Sequence, residues 1–103
     1  MTKSELNSWC AKYRGWTCMT PDTAERWTDG TRTLYTSDLP RVSEDICLAV
    51  TFRHECGLAM TITQERVEGH MLYTVQCGGY IVSDRSEAYA TVLAIYKAVE
   101  GKE

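Results

Sequence analysis

The sequence predicts an α+β domain, a three-stranded antiparallel meander packed with helices in the order helix, loop, helix, strand, strand, strand, helix. Three observations carry this. Apolar residues recur at helical spacing in three separate stretches. Over residues 58–63 and again over 71–77 the pattern switches to a two-residue alternation. Gly78-Gly79 then joins the alternating run to a third short strand, because both positions tolerate positive φ.

Thr2 to Gly15 reads as the first helix, capped by Thr2 or Ser4, with Leu6, Trp9, Cys10 and Tyr13 on its apolar stripe. Gly15 stops it and Trp16 packs back onto the core. Residues 17–36 are the least regular part of the chain. Pro21-Asp22 and Asp29-Gly30 mark turns, and the second closes a small hairpin between Arg26–Thr28 and Thr31–Tyr35. Ser37 or Asp38 is expected to cap a second helix running to about Cys56, with Pro40 tolerated in its first turn. Val42, Ile46, Ala49 and Val50 form its main stripe, widened by Leu48 and Phe52, and Gly57 ends it.

Leu58, Met60 and Ile62 then alternate with Ala59, Thr61 and Thr63. After a turn at Val67-Glu68-Gly69, Met71, Tyr73, Val75 and Cys77 alternate with Leu72, Thr74 and Gln76. Tyr80 to Val82 returns as the third strand. The last helix spans Ser83 to Gly101, with Ala88, Val92, Ile95 and Val99 on one stripe and Tyr89, Leu93 and Tyr96 beside it. Ser83, or Asp84 with Glu87, is expected to cap it, leaving Thr91 on the outer side.

With 103 residues the chain reads as one domain, 1–103, able to bury roughly two thirds of its unfolded surface. A net charge of -3 argues against a phosphate-backbone binder, although seven of the eleven basic residues are Arg, which can build a local anion site. No apolar run approaches the ~18 residues of a membrane span, and no signal-peptide core opens the sequence, so a cytoplasmic protein is expected. Five cysteines, odd in number and without a CxxC pair, read as reduced and mostly buried thiols.

No catalytic residues, metal or cofactor are expected. His54 and Cys56 are two apart on a helix and point about 200° from each other, which disfavours zinc. His54 lies two turns, roughly 10 Å, from Cys47. His70 and Cys77 lie roughly 23 Å apart on one extended strand. Cys47 and Cys77 therefore read as buried small hydrophobes. Arg26, Trp27, Arg32, Tyr35 and Arg41 are the candidate ligand- or partner-binding residues, because aromatic and Arg side chains dominate binding hot spots and pair with anions. Structural pinning of the loop by Trp27 and Tyr35 is the competing reading.

The stretches AKYRGW, YTSDLPRVSEDICLAV and YIVSDRSEAYATVLAIYKAV resemble the phage ABA sandwich domain family, over a span from Leu6 to Val99. The resemblance implies a phage or prophage source and a layered α/β/α arrangement, and it implies no activity. The expected function is that of a small non-enzymatic accessory protein binding a host target, as a host-takeover or anti-defence factor in the bacterial cytoplasm. The alternative is a sponge that sequesters a nucleotide-type immune signal at a subunit interface. An RNA-binding module is a weaker alternative, since Asp84-Arg85-Ser86-Glu87 puts two acids where such a module needs bases. The partner is thus a host protein or a small anionic nucleotide-like ligand, with no membrane, and DNA or RNA disfavoured. A homo-oligomer is expected from the unblunted edges Leu58–Glu65 and Tyr80–Ser83, helped by Leu72 and Ile81 on the outer sheet face.

Overall fold

A computed structural model describes residues 1–20, 22–23 and 26–101. Pro21, half of the first expected turn, lies outside them. The elements are α1 (Lys3–Tyr13), β1 (Thr17–Cys18), β2 (Arg26–Thr28), β3 (Thr33–Tyr35), a 3-10 turn (Thr36–Asp38), α2 (Ile46–Cys56), β4 (Met60–Val67), β5 (His70–Cys77), β6 (Tyr80–Asp84) and α3 (Glu87–Glu100). They build two antiparallel sheets, β1-β2-β3 and β4-β5-β6, so the class is α+β as predicted.

Thr2 caps α1 with a full capping box: its hydroxyl accepts the Glu5 amide, and the Glu5 carboxylate accepts the Thr2 amide. Leu6 and Cys10 enter the main core while Ala11 faces the small sheet. The predicted hairpin forms with Arg26 opposite Tyr35 and Trp27 opposite Leu34, and β1 adds a short strand that sequence periodicity did not reveal.

The second helix starts eight residues later than Asp38. After the 3-10 turn, Val42 and Ser43 are buried in a turn, not in a helix. Asn7 holds that turn, accepting both the Ser43 amide (2.9 Å) and the Ser43 hydroxyl (2.8 Å) through Oδ1. Asp45 is the true cap, accepting the amides of Cys47 and Leu48. This shift rotates the helix: Ala49 and Phe52 are buried, whereas Ile46 and Val50 face solvent. Cys47 is exposed, not the buried hydrophobe expected.

The three strands pair along their length, with Ile62 opposite Val75 and Val75 opposite Val82 on the inner face. Glu68 and Gly69 both take positive φ in the connecting turn. Asp84 ends the third strand, accepting the Ser86 amide, and Ser86, not Ser83 or Asp84, caps α3. Here α3 is buried on two sides. Ala88, Val92 and Ile95 meet α1 and α2, and Ala90 and Ala94 lie on the sheet. Thr91 is therefore buried and Val99 exposed, the reverse of the single-stripe reading. Small residues on the sheet side permit a close approach: a Cβ on Gly78 would stand 3.0 Å from that of Ala98, at a φ of +57°.

The helices cover one face of the β4–β6 sheet. Its other face carries Thr61, Thr63, Gln76, Ser83 and a largely exposed Ile81. A third layer, as the α/β/α resemblance implies, is not formed by the described residues. No helix among them is long and apolar enough to cross a membrane.

Candidate cleft between the first helix and the small sheet

Helix α1 exposes a second face that its apolar stripe conceals. Ser4, Ser8 and Lys12 follow one another at four-residue steps, and Glu5 and Trp9 form the neighbouring row. Across from these rows stand Trp27, Tyr35 and Ser37, and the space between is an open cleft of about 880 Å³. That is within the usual size of a small-ligand site, and a mixture of aromatic walls with a few polar groups is the usual lining.

Each wall is fixed by contacts outside the cleft. Trp9 donates its indole N–H to Glu100 at 2.8 Å and stands edge-on to Phe52 and Tyr96, with ring centroids 5.8 and 5.2 Å away. Trp27 is buried with Ala11 and Leu39, and its indole N–H donates to the Thr36 hydroxyl at 2.9 Å. It therefore floors the cleft beneath Lys12, whose Nζ lies 5.8 Å from the Trp27 ring centroid. Tyr35 is half exposed at the mouth, with the Arg26 guanidinium 5.5 Å from its ring. The hydroxyls of Ser4, Ser8 and Ser37 make no side-chain hydrogen bond among the described residues, so they are available to an occupant.

Among the described residues Glu5 is the one acid of the lining. Its hydrogen bonds with the Thr2 amide and hydroxyl hold its carboxyl below the ordinary value, so it is charged at neutral pH. Lys12 and Glu5 give the cleft one charge of each sign.

The sequence-predicted residues divide. Trp27 and Tyr35 line the cleft and Arg26 stacks beside Tyr35 at its rim. Arg32 instead stacks over Trp16 at 5.4 Å and approaches Asp29 at 3.6 Å, on the hairpin turn. Arg41 is exposed and lines no part of the cleft. Sequence reasoning missed Ser4, Glu5, Ser8, Lys12 and Ser37, although the Ser4-Ser8-Lys12 spacing was a visible signal. Trp9 was assigned to the core stripe and in fact serves both sides.

The hairpin turn has its own electrostatics. Asp29 accepts the amides of Thr31 and Arg32 and the Thr31 hydroxyl, which pulls its pKa from 3.8 to about 2. The unfolded chain therefore binds the proton more readily than the folded one. The support Asp29 gives the turn is complete above the ordinary value of 3.8 and is lost as pH falls to about 2. Amide chemical shifts of Thr31 and Arg32 are expected to titrate in that window, and a midpoint near 3.8 would show that the bonds do not form.

Burial raises the Cys10 thiol to about 12 and also pushes up Cys56 and Cys77, so these sulfurs are protonated at neutral pH. Among the described residues no group of three or more His, Cys, Asp or Glu side chains converges as a metal site. Comparison of the chain with protein-family models, with curated proteins and with solved structures found no match.

Proposed function

We propose that the protein acts by binding, not turnover, and that it sequesters a small anionic ligand carrying a flat ring in the cleft between α1 and β1–β3. The observation that carries this reading is the cleft itself: about 880 Å³, with Lys12 for an anion, Trp9 for a planar group, Tyr35 at its mouth, and three serine hydroxyls without a side-chain partner among the described residues. One chain supplies every wall, so capture needs no second subunit. In a phage or prophage setting, to which the resemblance points, the ligand is a nucleotide-type immune signal and the protein an anti-defence sponge. Protein purified from bacterial cells, heat-denatured and spun, is expected to release one small molecule in near-stoichiometric amount. An empty supernatant, with no metabolite of a broad panel raising the melting temperature, would overturn the reading.

The outer face of the small sheet favours a second reading, a host protein as target. Arg26 and Tyr35 stack there beside Met19, which is also exposed, and Arg and Tyr are favoured interface anchors. Affinity purification that recovers one stoichiometric host protein, lost with Tyr35→Ala and kept with Lys12→Met, would transfer the conclusion to that face.

A further inference from the structure

Resting on the small-ligand reading, we infer that the occupant is a nucleoside monophosphate whose base bears an exocyclic amino group, with its phosphate at Lys12 and its amino group at Glu5. The argument starts from spacing. Glu5 and Lys12 are seven residues apart on one helix, so they stand on nearly the same face and roughly 10 Å apart along the axis. A ligand that satisfies both must therefore carry an anion at one end and a hydrogen-bond donor at the other. An α-amino acid fails this requirement, because its ammonium and carboxylate share one carbon. A dicarboxylate or a pyrophosphate fails too, since its second anion would face the Glu5 carboxylate.

The middle of the ligand is constrained as well. Between the two charges the cleft offers the Trp9 ring and the Ser4, Ser8 and Ser37 hydroxyls, with Tyr35 at its mouth. Rings stack on a heteroaromatic base, and hydroxyls suit a ribose, which both donates and accepts. Glu5 can receive the amino group without losing its own role. One of its oxygens accepts the Thr2 amide at 3.0 Å, and the lone pairs of a carboxylate are enough to accept from a ligand besides. Because a carboxylate only accepts, it favours an amino group over a carbonyl at the same place on the base. Glu5 is thus the specificity-determining residue and Lys12 the anion anchor.

Calorimetry of the full chain with AMP, IMP and adenosine tests the assignment, since IMP replaces the amino group by a carbonyl and adenosine lacks the phosphate. AMP is expected to bind about tenfold or more tightly than either, the range of one charge-assisted hydrogen bond. Glu5→Gln keeps the capping box, because Gln serves in it as well as Glu. It should erase the preference for AMP over IMP with only a small fall in melting temperature, from loss of the charge at the helix start. Lys12→Met keeps the aliphatic cover on Trp27 and should erase the preference for AMP over adenosine. Equal affinities for AMP and IMP in the parent protein, or preferences unmoved by these variants, would overturn the inference. So would release from the heated protein of a small molecule that is not an amino-bearing nucleotide, a result that leaves the small-ligand reading standing.

Discussion

Trp27→Ala is expected to destabilise the fold by about 3–5 kcal/mol, the range for removing a large buried aromatic ring. Only 1% of Trp27 is exposed, and it joins three parts of the chain: Ala11 of α1, Leu34 of the neighbouring strand, and Leu39 after the 3-10 turn. Its indole N–H also satisfies Thr36, so the truncation removes a hydrogen bond besides leaving a void. Among the described residues no other side chain of the small sheet is fully buried, since its strands have two or three residues each. Denaturant titration should show the midpoint fall sharply. Arg26→Ala and Arg32→Ala, which lose exposed cation–aromatic contacts, should each stay within about 1 kcal/mol. A Trp27→Ala cost as small as theirs would mean that the small sheet is held by something other than this ring.

Phe52→Ala is expected to be comparably damaging, again about 3–5 kcal/mol, and to act on the cleft as well. Phe52 is fully buried in the cluster of Leu6, Ala49, Val92 and Ile95. Both Trp9 and Tyr13 stand edge-on to it, at 5.8 and 5.5 Å between centroids, and the Arg14 guanidinium lies 5.2 Å from its ring. Removing the ring takes away the backing that sets the angle of Trp9. Ligand affinity should therefore fall in the fraction that is still folded, whereas Phe52→Leu, which keeps most of the volume, should cost less on both counts. Calorimetry below the melting transition separates the two effects. Unchanged affinity in folded Phe52→Ala would show that Trp9 is positioned by Glu100 and Tyr96 alone.

Much of this architecture was legible in the chain because local and long-range preferences agree. Alternation from Met60 to Cys77 fixed both the strands and their inner face, since a sheet with one covered side tolerates only one register. The Asp29-Gly30 pair marked a hairpin whose first strand forms where expected and whose second starts two residues later, at Thr33. The errors fall where a tertiary contact replaces a local rule. Val42 continued a helical period, but its neighbour Ser43 is held in a turn by Asn7, thirty-six positions earlier, and no local pattern encodes that bond. Ala90, Thr91 and Ala94 read as a polar or neutral side of α3 because alanine carries little hydrophobic signal. Their burial follows from how closely the helix lies on the sheet. The cleft escaped for a related reason. Arg and Trp in an irregular segment are conspicuous, while two serines, a glutamate and a lysine on an orderly helix read as a solvated face.

Trp9 and Glu100 stand ninety-one positions apart and yet share a hydrogen bond, and the Tyr89 hydroxyl similarly donates to the Met1 carbonyl. During synthesis α1 leaves the ribosome before α3, so one rim of the cleft is made early and fastened late. Until the closing helix arrives, Trp9 lacks both Tyr96 and Glu100 and keeps only its contacts with Tyr13 and Phe52. If the cleft captures a ligand as proposed, a chain still lacking α3 binds it poorly even though every described residue lining the cleft already exists. Fastening of this rim thus waits on closure of a loop of ninety-one positions, the contact between α1 and α3.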